Sequence, residues 1–342
     1  MRLPGLIDVH VHLRVPGGEH KEDFHTATAA ALAGGFTTVL GMPNTQPPMV
    51  TLSEWRIAQQ TAARHSLCDV FLYAGASTAH LSELPALSEQ ALALKLYMDE
   101  TYGDLKVQGL SILATIFKTW PKNKVLAVHA EDTSIAMAIS LATIYERPVH
   151  ICHVSRKAEI ELIADAKARG LPITCEVTPH HLFLTHRDEI KLGSLGMMRP
   201  SLGDQADVDA LWAHINSTID IIASDHAPHT LVEKKSPNPP WGVPGLESTL
   251  PLMLTAVSQG RLSLHRLLQL LYDNPRRIFS LPEQPETWVE IDPDAHYTFP
   301  DHPLYTKCGW SPFAGMEMKS RVTQVVLRGK EVVREGLVLN YQ

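Results

Sequence analysis

The chain alternates eight short apolar runs with longer helical patterns, and this alternation restricts its fold more than any other feature. Continuous apolar strands separated by helices indicate a parallel sheet that helices cover on both faces. Eight is the number of strands that closes a (β/α)8 barrel. An open doubly wound sheet is the alternative, but no G-x-G-x-x-G follows the first run. The runs, rich in Val, Ile and Leu, are Leu6–Leu13, Phe36–Met42, Asp69–Gly75, Ala91–Met98, Val125–Ala130, Val149–Val154, Ile173–Thr178 and Ile219–Ser224.

Helical patterns fill the intervals between these runs, and the last part of the chain has a different character. From about Trp288 it is rich in turn residues and then alternates apolar and polar positions, which predicts strands and a hairpin at Arg328–Lys330. We therefore expect an α/β fold with a (β/α)8 TIM barrel over residues 1–287. A small C-terminal β-rich extension outside the barrel would cover residues 288–342. The predicted helices are Lys21–Ala33, Leu52–Arg64, Val107–Trp120, Asp132–Tyr145, Lys157–Arg169, Asp204–Ile215, Glu247–Gln259 and Ser263–Tyr272.

Composition argues against several classes of function. The 342 residues carry a formal charge of -7 without a long Lys/Arg run, so nucleic acid is not an expected partner. No apolar stretch approaches the roughly 20 residues that span a membrane, and no basic region followed by an apolar one marks a secretory signal. The four cysteines are scattered, which fits a reducing compartment rather than a disulfide framework. We expect a cytoplasmic protein.

Histidine and aspartate residues mark the ends of several predicted strands. His10 and His12 alternate on the first strand, so both imidazoles point to one side, and such a pair can hold a zinc ion. Barrel active sites form at the carboxyl ends of the strands, where residues from distant runs converge. Taken singly, a strand-end histidine is more often a satisfied polar residue, and Asp225 could cap a helix. Together these residues predict a metal centre built from His10, His12, Lys95, His129, His153 and Asp225.

Lys95 lies in the middle of the apolar run L-A-L-K-L-Y-M. Burying an ammonium group without a partner is costly, and burial favours the neutral amine. A neutral amine can add carbon dioxide and become a carbamate, an anionic group whose two oxygens can bridge two cations. The surrounding histidines are what such a bridge needs, so we expect a carboxylated Lys95 between two metal ions.

The segments around these residues resemble the dihydroorotase family of the amidohydrolase superfamily. They read G-L-I-D-V-H-V-H-L-R, M-P-N-T, K-L-Y, C-E-V-T-P-H-H-L and A-S-D-H-A-P-H-T. The resemblance extends over nearly the whole chain and is strongest to the dihydroorotase domain of the animal multifunctional pyrimidine-synthesis protein. It implies an amidohydrolase-type barrel that reversibly converts N-carbamoyl-L-aspartate to L-dihydroorotate and water.

The resemblance also implies roles for residues of the metal centre and a nearby loop. Asp225 would take a proton from the attacking hydroxide and deliver it to the leaving amide nitrogen. Thr101 and Tyr102 would belong to a mobile loop over the substrate, where animal members have Thr-Phe. The implied zinc ligands are His10, His12 and Asp225 for one ion, His129 and His153 for the other, and carboxylated Lys95 between them.

The substrate carries a carboxylate beside its ring, and several residues are expected to bind it. Arg14, two residues beyond His12 on the same strand face, can form a forked pair with this carboxylate. Asn44, after the second strand, can share it, and by resemblance His229 completes the grip. Arg199 is expected to contact substrate or loop. Surface ion pairs are the alternative for the two arginines.

Five further residues have more than one interpretation. Cys152 and Glu176 could support a third zinc, as similar animal-type domains suggest, or could be a buried thiol and a carboxylate that supports the ligands. His180 and His181 match a family segment and are expected to pack behind the metal ligands rather than bind metal. Trp241 departs from the animal pattern, which favours proline at this position.

Two other functions remain open. A related cyclic amidase acting on hydantoins or allantoin would share the metal ligands, but Arg14 and Asn44 argue against it because those substrates lack the ring carboxylate. A catalytically silent scaffold that supports aspartate carbamoyltransferase would be expected to have lost ligands, and all six stand here. The expected partners are carbamoyl aspartate or dihydroorotate, a second copy in a homodimer, and aspartate carbamoyltransferase by association or fusion.

Overall fold

The structure, a computed structural model, describes residues 1–101 and 103–339. Short strands alternate with helices from Leu6 to Ile222, and a second group of strands lies near the C-terminus. The strands are β1 (Arg2–Pro4), β2 (Leu6–Val11), β3 (Phe36–Gly41), β4 (Asp69–Leu72), β5 (Ala74–Gly75), β6 (Ala93–Tyr97), β7 (Val125–His129), β8 (Val149–Ile151), β9 (Ile173–Val177), β10 (Ile221–Ile222), β11 (Trp288–Thr298), β12 (Glu317–Leu327), β13 (Lys330–Arg334) and β14 (Leu337–Val338). The α-helices are α1 (Phe24–Ala33), α2 (Leu52–His65), α3 (Leu84–Gln90), α4 (Leu110–Thr119), α5 (Thr133–Ile144), α6 (Lys157–Ala168), α7 (Pro179–Phe183), α8 (His186–Leu192), α9 (Gln205–His214), α10 (Leu231–Lys234), α11 (Leu246–Ser258), α12 (Leu264–Leu268) and α13 (Asn274–Ile278).

Parallel strands close into the predicted barrel. Strands β2, β3 and β4 pair in order, and β5 to β10 form a second parallel ladder. The two ladders are continuous at Tyr73, whose amide donates to the Gly41 carbonyl at 3.0 Å between β4 and β5. At the other junction the His12 amide donates to the His226 carbonyl at 2.8 Å. The wall is therefore an eight-stranded ring, and the (β/α)8 prediction is confirmed.

Apolar side chains fill the lower part of the barrel and leave its carboxyl end to polar residues. Val9, Leu40 and Ala127 are buried inside the ring together with Phe279, which follows α13. The Phe279 ring packs edge-on against Tyr73, with 6.0 Å between ring centroids. This packing closes the amino end of the barrel, so a ligand has access from the opposite end.

Several predicted element boundaries differ from the structure for local reasons. Helix α1 begins at Phe24 rather than Lys21 because the Asp23 side chain accepts from the Thr26 amide and caps the helix. The predicted strand Ile219–Ser224 is reduced to β10. The predicted helix Ser263–Tyr272 is interrupted, because a π-helical turn over Gln269–Asp273 follows α12. None of the described helices is long and apolar enough to cross a membrane.

The extension is an antiparallel sheet with strand order β1-β11-β12-β13-β14. Leu327 pairs with Lys330, which confirms the predicted hairpin. The N-terminal strand β1 joins this sheet at its edge by pairing with β11. The boundary between the barrel and the extension, after residue 287, stays a prediction. The N-terminal Arg2–Pro4, predicted to belong to the barrel part, shares hydrogen bonds with the extension.

The segment between β11 and β12 returns to the barrel mouth, which the sequence did not predict. Glu247, near the start of α11, accepts from the backbone amides of Tyr305 and Thr306 at 2.9 and 3.1 Å. Glu22, just before α1, accepts from the Thr306 hydroxyl and from the Lys307 amide. The buried Glu22 and the half-buried Glu247 thus fix the returning segment beside the site.

The first prediction concerns Glu247, because burial raises the pKa of its carboxyl group from 4.5 to about 8. The folded protein favours the neutral acid, so the stabilisation is complete below the unfolded pKa and is lost as pH rises through about 8. Relative to Glu247→Gln, the wild type should lose up to about 1.4 kcal/mol of unfolding free energy per pH unit in this interval. Urea unfolding of both proteins between pH 5 and pH 8 measures this. Curves that stay parallel would contradict the prediction.

Candidate active site

The first two predicted ligands and Asp225 meet at the carboxyl end of the barrel. The Nε2 atoms of His10 and His12 lie 3.3 and 3.2 Å from the same Asp225 oxygen, Oδ1. All three side chains are buried. One ligand atom from each lies within 4.8 Å of the others, so the three could hold a single ion.

Two other residues fix which nitrogen each of these imidazoles presents. His10 Nδ1 hydrogen-bonds Glu176 Oε1. His12 Nδ1 lies 2.7 Å from the Asn44 amide oxygen, to which it donates. Both rings therefore direct Nε2 towards Asp225. A carboxylate or amide oxygen behind a histidine is the usual support of a metal-binding imidazole. Asn44, predicted to bind substrate, has this supporting contact as well.

The remaining predicted ligands lie beside the first group. His129 Nδ1 and His153 Nε2 are 2.9 Å apart, and the ring centroids of His10 and His153 are 5.2 Å apart. Lys95 is completely buried, and its Nζ atom is 3.0 Å from the Cys152 sulfur. Five strands or strand ends thus bring all six predicted ligands to one place.

The electrostatics of the site keep these groups in the protonation states that metals require. Burial lowers the pKa of His12 to about 4 and also lowers the pKa values of His129 and His153. Although burial opposes ionisation of Asp225, the neighbouring His10 and His12 hold the pKa of its carboxyl group well below the usual value. At neutral pH the imidazoles of His12, His129 and His153 are therefore neutral and the Asp225 carboxylate is ionised.

Unused polar atoms support the same interpretation. Within residues 1–101 and 103–339, three buried atoms of the group form no hydrogen bond: Asp225 Oδ1, His129 Nε2 and His153 Nδ1. Buried polar atoms are normally paired, and leaving one unpaired costs roughly 1–3 kcal/mol. Metal ions bound to these residues would remove part of that cost, so the donor set fits the predicted metal centre.

The backbone is strained where it presents these residues. Arg14, His153 and Asp225 have φ values of 62°, 32° and 45°, in the left-handed region that non-glycine residues rarely adopt. Such conformations concentrate at sites where function requires a particular direction of the side chain. The geometry of Arg14 also corrects one expectation: β2 ends at Val11, so Arg14 lies in a loop and not on the same strand face as His12.

Arg14 nevertheless contacts His229, the residue expected to bind the substrate carboxylate together with it. Its Nη2 lies 3.1 Å from His229 Nε2, and its Nε donates to the Pro228 carbonyl. Lys21 approaches the other face of this histidine, with Nζ 3.2 Å from Nδ1. Burial, with Arg14 and Lys21 nearby, lowers the pKa of His229 far below its usual value. His229 is therefore a neutral imidazole between two cations.

Three of the four predicted substrate residues, Arg14, Asn44 and Arg199, line two adjoining spaces, whereas His229 lines neither. Arg14, Asn44 and Lys21 line a cavity of about 510 Å³ together with residues 103–105. A smaller inner space reaches the predicted metal ligands. Thr101, predicted to belong to the loop over the substrate, borders this inner space, whereas Tyr102 lies outside the described residues. The inner space is lined by His12, Arg14, Asn44, Thr101, Arg199, Asp225, Ala227, Trp241 and Gly242.

The site has support that the sequence did not predict. Lys21 lies in the segment H-K-E-D-F and forms a 2.9 Å ion pair with Glu233. Trp310, in the returning segment of the extension, donates from Nε1 to the His229 carbonyl at 2.7 Å. In the sequence, Lys21 follows soon after the predicted ligands His10 and His12, and this closeness is the signal that could have indicated its role. No local pattern connects Trp310 with residue 229.

Cys152 and Glu176 lie against the predicted metal ligands. This position fits a third zinc site, and it equally fits a buried thiol and a carboxylate that supports the ligands. His10, Cys152 and Glu176 have ligand atoms within 4.8 Å of one another. Glu176 also accepts from His150 at 3.1 Å, and burial raises the pKa of the Cys152 thiol. His181 hydrogen-bonds Thr178 and the Pro200 carbonyl, as expected of a packing residue. The role of His180 stays a prediction.

Comparison with known proteins identifies the family. A family described as dihydro-orotase-like matches residues 1–144. The dihydroorotase of Pyrococcus furiosus is 33% identical over 360 residues, which cover 98% of this chain and 82% of that protein. The chain belongs to the dihydroorotase family. The multifunctional protein CAD of Squalus acanthias is 49% identical to this chain over 340 residues. That match covers 99% of this chain but 15% of CAD, so the chain spans about 15% of the length of this relative.

Solved structures with the same fold include a hydantoinase and an inactive dihydroorotase-like domain. L-hydantoinase from Arthrobacter aurescens has a TM-score of 0.94 at 25% identity, over 99% of this chain and 86% of that one. The inactive dihydroorotase-like domain of a Chaetomium thermophilum CAD-like multifunctional protein has a TM-score of 0.84 at 27% identity, over 99% and 96%. The barrel therefore has the amidohydrolase architecture that the resemblance implied.

The second prediction separates the two interpretations of Glu176. If Glu176 acts by supporting His10, Glu176→Gln should weaken metal affinity about 10- to 100-fold and leave two metals per chain at saturation. Competition with a chromophoric chelator measures the affinity, and elemental analysis measures the number of metals. Glu159→Gln, at a buried carboxylate that caps α6, is the matched control. Unchanged affinity would contradict the supporting role, and the loss of one metal from a total of three would assign Glu176 to a third ion.

Proposed function

We propose that this chain is a dihydroorotase that reversibly cyclises N-carbamoyl-L-aspartate to L-dihydroorotate. The observation that carries the proposal is that Arg14 and Asn44 border the same inner space as the predicted ligands His12 and Asp225. A ring carboxylate bound by the Arg14 guanidinium would hold the scissile amide next to those ligands. Hydantoins lack this carboxylate and would offer the guanidinium no anionic group to bind.

Three residues would bind the carboxylate. Arg14 offers a guanidinium, which matches the geometry of a carboxylate better than a lysine does. Its direction is set by the Pro228 carbonyl, which accepts from Nε, and its Nη2 lies against His229. Because burial and the nearby cations keep the His229 imidazole neutral, that residue contacts the guanidinium without adding charge. Asn44 accepts one hydrogen bond from His12, so it connects the residues that would bind the carboxylate to the predicted metal ligands.

Asp225 would move the proton during the reaction. Two zinc ions held by the six predicted ligands, with Lys95 carboxylated, would polarise the scissile carbonyl and lower the pKa of the attacking water. The ionised Asp225 lies at the border of the inner space, where it would accept that proton and return it to the amide nitrogen. Burial of the surrounding groups excludes water that would compete for the proton. Thr101 and Tyr102 would cover the substrate from the loop side.

Two alternatives have specific support. The TM-score of 0.94 to L-hydantoinase favours a cyclic amidase for neutral rings, and an inactive dihydroorotase-like domain shares the fold. Against inactivity, the six predicted ligands are present and buried around a common centre. Against the hydantoinase interpretation, the Arg14 guanidinium borders the inner space, which suits an acidic substrate.

The third prediction tests the substrate. Arg14→Met should leave the metal content unchanged and lower the catalytic efficiency for dihydroorotate well over tenfold. Loss of one partner of a desolvated charge pair costs on the order of 2–5 kcal/mol. Activity on hydantoin should be low in wild type and unchanged in the variant. Arg56→Met, on the exposed face of α2, is the control. Equal wild-type efficiency on hydantoin would favour the cyclic amidase, and no turnover of either ring by the metal-loaded protein would favour the silent scaffold.

The proposal also includes an expected assembly with other protein chains. The match to CAD covers 99% of this chain but 15% of that protein, which supports a place within, or association with, a larger pyrimidine-synthesis assembly that includes aspartate carbamoyltransferase. A homodimer and a cytoplasmic location are part of the same proposal. Sedimentation of the purified chain, alone and with aspartate carbamoyltransferase, measures both associations.

A further inference from the structure

Arg199 and Trp241 stack on each other at the border of the inner space. The guanidinium carbon of Arg199 lies 4.2 Å from the centre of the Trp241 ring. Among the described residues Arg199 forms no ion pair, and its buried Nε atom has no hydrogen bond. The aromatic face is therefore the main contact that fixes this guanidinium. A stack of this kind contributes about 0.5–2 kcal/mol.

Through its backbone, Trp241 also contacts His229, one of the residues predicted to bind the substrate carboxylate. Its carbonyl accepts from His229 Nε2 at 3.0 Å. The next residue, Gly242, has φ 136°, and a Cβ there would lie 2.5 Å from the Ala227 carbonyl oxygen. Only glycine permits this close approach, so the backbone after Trp241 packs directly on the loop that carries His229.

A buried lysine holds the loop of Trp241 in place. Lys234 Nζ donates to the carbonyls of Pro240 and Gly242, at 2.9 and 3.1 Å, and so binds the backbone on both sides of Trp241. It also donates to the Met197 carbonyl at 3.0 Å, which connects the loop to the segment that carries Arg199. The side chain of Lys234 is completely buried. The backbone that carries Trp241 is thus held in place before substrate binds.

We propose that Trp241 is a positioning residue for the acidic substrate. Its ring holds the Arg199 guanidinium at the inner space, where Arg14 also lies, and its carbonyl orients His229. Two guanidinium groups then border one space, an arrangement that favours an anionic ring over a neutral one. This inference rests on the proposed dihydroorotase function and adds a specificity determinant that acts through Arg199.

The test compares steady-state kinetics of Trp241→Ala, Trp241→Phe, Arg199→Met and the Trp241→Ala, Arg199→Met double variant. Trp241→Ala keeps the carbonyl and removes the ring, so KM for dihydroorotate should rise about tenfold while kcat stays within about twofold. Trp241→Phe keeps an aromatic face and should restore most of the affinity. If Trp241 acts through Arg199, the double variant should be no worse than Arg199→Met alone.

A second cation–aromatic pair provides the matched control. Arg2 lies 4.4 Å from the centre of the Trp288 ring, in the extension sheet. Trp288→Ala should leave KM unchanged. Unchanged KM in Trp241→Ala, a fall in kcat alone, or additive effects in the double variant would each overturn the positioning role while wild-type turnover upholds the proposed function. Absence of wild-type turnover would overturn both.

Discussion

The burial of Lys95 is the constraint on which the rest of the site depends. Its amine lies inside the barrel beside a thiol at 3.0 Å, and among the described residues no carboxylate forms an ion pair with it. An isolated ammonium in this position would be costly, and cations bound to the neighbouring imidazoles would add repulsion. Conversion to a carbamate replaces a positive charge with a negative one and supplies oxygen ligands. In the proposed metal centre, this change of charge at Lys95 would allow the six predicted ligands to bind cations side by side.

The surrounding fold sets the direction of the other ligands. Glu176 and Asn44 each bond one nitrogen of a histidine, so the opposite nitrogen faces Asp225. The chain returning from the extension contributes a second level of support, because Trp310 binds the backbone of His229. The extension therefore supports the loop that carries His229, although the sequence suggested that it lies outside the barrel.

The convergence of His10, His12 and His129 follows from strand periodicity and barrel topology, because strand ends meet at one mouth. The sequence predicts Arg14 on the same strand face as His12, but it lies in a strained loop beyond the strand. Its binding of the substrate carboxylate stays a prediction. The Arg199–Trp241 stack could not be predicted, because contacts between loops depend on tertiary packing that local patterns do not encode.

Carboxylation of Lys95 tests the account most directly. The purified chain is stripped of metal, reconstituted with zinc and 13C-labelled bicarbonate, and examined by carbon NMR together with elemental analysis. The account predicts one carbamate carbon and at least two zinc ions per chain, with the carbamate signal lost in Lys95→Gln. Two bound zinc ions and full dihydroorotate turnover without any carbamate signal would contradict it.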